Sequence, residues 1–197
     1  MDSIKKLLDA GIPFKTRRVM VTQKRMENLH RKGLQPNLGV NASICIIDDE
    51  GRLFVNKHVA LGEKARQAGF SERYVKGMWD VPGGWARKEE GLEEAAVREF
   101  REETGLLIHP TNVCGVIIWR VESPDGGVFE IYDANLNAKI IGGTLSLNPD
   151  EVETARFLSL KDIKALVEQG EAEETLITRY YWSKTPCNLK TNRSSAI

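Results

Sequence analysis

The segment from Gly83 to Leu106 constrains this chain more than any other. Read as a helix at about 100° per residue, Leu92, Ala95 and Ala96 share one face. Steps of three and four along that face reach Glu99, Glu102 and Glu103. A stripe that begins apolar and small therefore ends in three carboxylates. Carboxylates gathered on a packed face lose hydration and repel one another, so the stripe calls for a cation. With oxygen donors and neither Cys nor His in the set, the ion expected is hard, Mg2+ or Mn2+ rather than zinc. Arg98 lies four residues before Glu102 and can orient a carboxylate. The helix is expected over about Leu92 to Thr104, stopped by Gly105. Ahead of it stands Pro82-Gly83-Gly84, where residues without side chains let backbones approach closely and offer a free carbonyl.

Around this helix the chain reads mostly as strands. Val40 to Ile47 and Leu53 to Val55 are strands joined by the turn Asp48-Asp49-Glu50-Gly51. Ala60 to Lys76 is polar and fits a loop or a short helix. Val113 to Val121 is β-branched and apolar, and Ser123-Pro124-Asp125-Gly126-Gly127 turns it back into Val128 to Ala134. A short strand over Ala155 to Leu160 precedes an amphipathic helix over Lys161 to Gln169 and a final helix over about Glu171 to Trp182. The expected class is α/β, a sandwich with a mixed sheet. Three regions are expected: a basic N-terminal extension (1–37), one domain (38–183) and a loose tail (184–197).

Lys+Arg and Asp+Glu are both 28 in 197 residues, so no general attraction to nucleic acid or membrane follows. The charge is uneven, with nine basic and three acidic side chains in residues 1–35, which leaves the carboxylate site in the acidic remainder. The extension reads as a solvated arm, since no aromatic interleaving accompanies its charge. Cys45, Cys114 and Cys187 form neither a disulfide framework nor a zinc pattern, and the first two read as small buried strand residues. No apolar run approaches the length needed to span a bilayer. A cytoplasmic setting is the expectation.

The segment also resembles the Nudix box, G-x(5)-E-x(7)-R-E-U-x-E-E-x-G-U with U apolar. Gly84, Glu90, Arg98, Glu99, Phe100, Glu102, Glu103, Gly105 and Leu106 fill every specified position without a gap. The resemblance implies a Nudix-like α/β/α sandwich and a metal-dependent hydrolase of nucleoside diphosphates linked to a moiety X, with Mg2+ (or Mn2+) as cofactor. It implies metal ligation by Glu99, Glu102, Glu103 and the Gly83 carbonyl. Glu90 and Arg98 would pair and support the loop, as would Gly84 and Gly105. A further acid from a later loop is expected, with Glu151 first and Glu153 and Glu130 behind it. The general base is then Glu102 or Glu151.

The box does not fix X. Trp79, Trp85, Trp119 and Tyr132 are candidates to stack a base, and Lys57 and Arg87 to meet phosphates. Lys64, Arg66 and Arg73 lie in a stretch that fits a substrate loop. The leading expectation is an ADP-ribose, NDP-sugar or dinucleotide pyrophosphatase. Second comes a (d)NTP pyrophosphatase, and third an RNA 5′-end pyrophosphohydrolase. A non-catalytic nucleotide-sensing module is the alternative of another class. The partner expected is a small nucleotide, with no membrane and no nucleic acid, and with a homodimer left open.

Overall fold

The computed structural model describes residues 2–31 and 39–185. In chain order its elements are α1 (Asp2–Asp9), β1 (Phe14–Met20), α2 (Gln23–Arg31), β2 (Gly39–Cys45), β3 (Leu53–His58), α3 (Gly62–Gln67), α4 (Glu72–Lys76), β4 (Trp79–Asp80), β5 (Gly83–Trp85), α5 (Leu92–Thr104), β6 (Leu106–Glu122), β7 (Val128–Gly143), β8 (Val152–Leu158), α6 (Leu160–Glu168) and α7 (Glu174–Lys184). Five strands form one mixed sheet in the order β1-β6-β7-β2-β5, and three form a second in the order β4-β3-β8.

Strand parity builds the layers. Neighbouring residues of a strand point to opposite faces, and here Ile44 and Phe54 enter one apolar cluster while Cys45 and Val55 enter another. The first cluster takes in Ile4 of α1 and Ala95, Ala96 and Phe100 of α5. The second takes in Ile163 of α6 and Leu176 and Tyr180 of α7. Helices therefore cover both faces, giving an α/β/α sandwich. Ala95 and Ala96 are small enough to seat α5 closely, and Phe100 is fully buried with its ring 5.6 Å from that of Phe54. Burying a side chain of that size contributes about 1.5–3 kcal/mol. The Glu94 carboxylate accepts the Gly91 N–H at 2.8 Å at the start of α5, and Gly105 ends the helix at φ 71°.

Several elements differ from the sequence expectation. The N-terminal segment, read as a solvated arm, is built into the sandwich. Ile4 of α1 is 2% exposed, and β1 pairs in parallel with β6 from Phe14↔Val116 to Met20↔Glu122. Lys15 donates to Thr178 Oγ1 at 3.1 Å and Arg17 pairs with Glu174 at 3.0 Å, so two of the basic side chains fasten this edge to α7. The central hairpin is also longer than expected, because polar residues such as Asn112, Asn135 and Asn137 lie within its paired register. The ambiguous stretch after β3 holds two short helices, α3 and α4. Cys45 and Cys114 are buried free thiols. Most of the expected tail, with Cys187, lies outside the described residues. No described helix is long and apolar enough to cross a membrane.

Candidate active site

The site forms where the C-terminal half of α5 passes beneath β5. Strand β5 pairs with β2 through Ala42↔Gly84 and Ser43↔Gly83. A side chain at Gly83 would meet backbone, and one at Gly84 would meet the Glu99 carboxylate. A Cβ on Gly83 would lie 2.3 Å from the Ala42 carbonyl oxygen, and one on Gly84 would lie 2.3 Å from Glu99 Cδ. The missing Cβ of Gly84 is therefore the space that the Glu99 carboxylate occupies. Gly84→Ala is expected to displace Glu99 and lower metal-dependent turnover by about 10²-fold, the usual effect of a shift near 1 Å in a reacting site. Steady-state kinetics at saturating metal measure it.

Arg98 ties the box together. Its Nε and Nη2 donate to the two oxygens of Glu90, each at 2.7 Å, and Nη2 also donates to the Trp85 carbonyl at 3.0 Å. Its Nη1 donates to Glu99 at 2.6 Å and to Glu102 at 3.1 Å. Glu90 also accepts the Arg87 N–H at 2.9 Å. These bonds, with those of Arg98 foremost, hold the Glu90 carboxyl down at about 2. The loop before the helix is thus locked to the helix itself.

Glu103 stands in a different environment. It is 4% exposed. It accepts Asn56 Nδ2 at 2.9 Å and the Gly83 N–H at 3.3 Å, and it makes no ion pair among those of the described residues. Burial pushes its carboxyl well above the ordinary range, and the charges of Glu99 and Glu151 push it further. Burial also raises Glu99, against the pull of Arg98, and Glu102 and Glu151 add to the rise. Glu151 immediately precedes β8, and its carbonyl accepts the Val59 N–H at 2.9 Å. Four carboxylates, three on α5 and one just before β8, therefore crowd one another, and the most buried of them makes no ion pair among the described residues.

This donor set fits a hard divalent ion, because every donor is oxygen and a positive charge would relieve both the burial and the repulsion. Among the described residues no three acidic, His or Cys side chains are already gathered tightly enough to hold an ion. Arg98 Nη1 instead bridges Glu99 and Glu102. Glu102 is half-exposed and is also met by Arg87 at 3.4 Å.

The candidates for substrate contact divide. Arg87 is 67% exposed beside Glu102, and Trp85 is half-buried against Met26, Val121 and Phe129. Trp79 is 3% exposed in the cluster under α6 and α7, with Arg156 stacked 4.4 Å from its ring, so it has no free face for a base. Lys57 follows Asn56, which faces Glu103; strand alternation turns Lys57 to the opposite side, where it pairs with Glu153 at 3.3 Å. Among the described residues, the polar contact of each is with the other, not with the site carboxylates. Glu130 accepts the Tyr132 hydroxyl at 2.7 Å, and Trp119 packs beside Val19 and Phe129. Sequence reasoning missed Asn56, whose signal was a lone amide in the apolar run Leu53-Phe54-Val55.

A family model of the NUDIX domain matches residues 37–180. The chain belongs to the Nudix family. An ADP-ribose pyrophosphatase of Methanocaldococcus jannaschii is 35% identical over 91 residues, covering 46% of this chain and 52% of that protein. A NAD-capped RNA hydrolase NudC of Pseudomonas putida is 27% identical over 119 residues, covering 60% of this chain and 41% of that protein. The chain thus spans about half or less of the length of these curated relatives. The crystal structure of a MutT protein from Methanosarcina mazei Go1 superposes with TM-score 0.55 at 18% identity, covering 75% of this chain and 94% of that one. A NUDIX hydrolase from Nitrosomonas europaea gives 0.52 at 19%, covering 76% and 88%. These two likenesses establish the Nudix fold. Nudix hydrolases generally depend on a divalent metal ion.

Proposed function

We propose that this Nudix domain hydrolyses the pyrophosphate bridge of a nucleoside diphosphate linked to a second moiety X, with Mg2+ as its working ion. One observation carries the reading: Glu103 is buried without a cation partner while Glu99 and Glu151 repel it. A site meant only to bind a nucleotide, itself an anion, has no use for converging carboxylates. Two of the relatives are named for substrates of this class, an ADP-ribose pyrophosphatase and a NAD-capped RNA hydrolase, which supports an ADP-ribose or dinucleotide-like X.

The residues proposed to hold the metal are Glu99, Glu102, Glu103 and the Gly83 carbonyl. When bound, the ion neutralises phosphate oxygens and lowers the pKa of the attacking water. Glu90 and Arg98 keep the loop in place, and Gly84 leaves room for Glu99. Glu151 is the proposed base: it takes the proton of the attacking water as the new phosphorus–oxygen bond forms. The bridging phosphorus–oxygen bond breaks, and its oxygen leaves on the departing phosphate. Glu102 is second choice, because Arg87 and Arg98 already engage its carboxylate. Arg87, exposed beside the site, is the proposed phosphate contact.

Steady-state kinetics with ADP-ribose and Mg2+ test this assignment. Glu151→Gln is expected to lower kcat by about 10²–10⁴-fold, the range for losing a general base, with little change in KM. Near-normal turnover would remove Glu151 from that role, and a larger loss in Glu102→Gln would move the role there.

A further inference from the structure

Between the two sheets lies a buried ionic network outside the carboxylate site. Arg179 of α7 has no exposed side-chain surface. Its Nη1 donates to Asp80 Oδ1 of β4 at 2.8 Å, and its Nη2 donates to Asp133 Oδ2 of β7. One guanidinium thus joins the three-stranded sheet to the five-stranded one. Arg73 of α4 adds a second cation on Asp80 Oδ2 at 2.8 Å. Asp133 Oδ1 accepts Ser43 Oγ at 2.7 Å and Asn41 Nδ2 at 3.3 Å.

Stability alone explains such a network poorly, since buried ion pairs often give way to apolar residues at no loss. Its connections lead elsewhere. Asp80 Oδ1, which takes Arg179, also accepts the Val81 N–H at 2.9 Å. One residue further on, the Pro82 carbonyl accepts the Ile44 N–H at 2.8 Å, and the Gly83 N–H points to Glu103 at 3.3 Å. On the other side, the residue that Asp133 holds is Ser43, the register partner of Gly83. Both arms of the Arg179 fork therefore converge on the short stretch that sets Gly83 against Glu103.

We infer that Arg179 is a positioning residue for the metal site: by gripping Asp80 in one sheet and Asp133 in the other, it fixes the Gly83 backbone relative to Glu103. The inference rests on reading Gly83 and Glu103 as metal-site residues and not on hydrolysis itself. Lysine cannot replace it, because a single ammonium lacks the planar fork that serves two carboxylates at once.

Mn2+ titration of the full chain without substrate, followed by electron paramagnetic resonance, tests it. Arg179→Lys and Ser43→Ala are each expected to weaken Mn2+ binding by about 10-fold, as losses in the shell behind metal ligands do. The double variant is expected to lose little more than Arg179→Lys alone, because both changes cut one chain of contacts. Ile163→Val, in the apolar cluster under α6, serves as the control: it should lower the melting temperature and leave Mn2+ binding unchanged. Wild-type Mn2+ affinity in folded Arg179→Lys and Ser43→Ala would overturn the inference. Ser43→Ala removes one hydroxyl and no charge, so it decides the matter alone if Arg179→Lys does not fold. A wild type that binds no Mn2+ also overturns it. A wild type that binds Mn2+ yet cleaves nothing would overturn the proposed hydrolase and leave this inference standing.

Discussion

Glu103→Gln is expected to lower metal-dependent turnover by about 10³-fold or more and, in the same step, to make the metal-free protein more stable. The activity loss follows from removing the most buried charge of the proposed metal site, where stabilisation of developing charge is worth several kcal/mol. The stability gain follows from the same burial. Glu103 is raised above the ordinary carboxyl value by desolvation and by the charges of Glu99 and Glu151. Between the unfolded and folded pKa the native state holds the extra proton, so stability falls as pH rises through that window. At neutral pH the metal-free protein therefore carries a destabilising group. Glutamine keeps the shape and can still accept from Asn56 and the Gly83 N–H, so relief of about 0.5–2 kcal/mol is expected, typical of trading a strained site for stability. Melting curves in EDTA from pH 5 to 8 measure it. Wild type should lose stability towards the alkaline end, and Glu103→Gln should be flatter and higher. A variant that melts below wild type across the range would show that the carboxylate stabilises the fold, contrary to this account.

Arg98→Ala is expected to have the largest effect on the fold. Arg98 and Glu90 are 16% and 14% exposed, and Glu99 is 17% exposed, so truncation leaves two poorly solvated carboxylates without their partner. Breaking a pair of that kind costs about 3 kcal/mol, or a fall of about 10 °C in melting temperature for a chain of this size. The pH signature is opposite in sign to that of Glu103. Glu90 is depressed to about 2, so its contribution is fully present above its ordinary value of 4.5 and is lost as pH falls towards 2. Arg98→Ala should remove that acid limb of the stability curve. It also frees Glu99 and Glu102 from the bridging guanidinium, so the deficit should shrink when Mg2+ is added. A loss below about 1 kcal/mol would place the pair with solvated surface bridges.

The helix carrying the carboxylates was legible because its pattern is local: the 3.6-residue period alone puts Ala95, Ala96, Glu99 and Glu103 on one side. The sandwich and the helices α5, α6 and α7 followed from the same kind of signal. What escaped reading depends on parity and distance. Lys57 and Trp79 lie within a few residues of the site in sequence, yet strand alternation turns both to the other face. The partners of Arg179 are 99 and 46 residues away, and nothing in a local window links them. The N-terminal charge concealed α1 and β1, because Lys15 and Arg17 read as solvated while their contacts lie on α7. The long β6–β7 hairpin was cut short where asparagines interrupt its apolar run. Asn112 and Asn135 donate from their amides to the Val113 and Asp133 carbonyls, which meets part of their bonding need inside the sheet.

The most direct test is a turnover screen of the purified chain against ADP-ribose, NDP-sugars, dinucleotides and (d)NTPs, with Mg2+ or with EDTA, and products resolved by chromatography. Mg2+-dependent cleavage inside the phosphate chain of an NDP-X substrate is expected, so that ADP-ribose yields AMP and ribose 5-phosphate, with no product in EDTA. Saturable nucleotide binding without cleavage across the whole panel would contradict it and identify a nucleotide-sensing module instead.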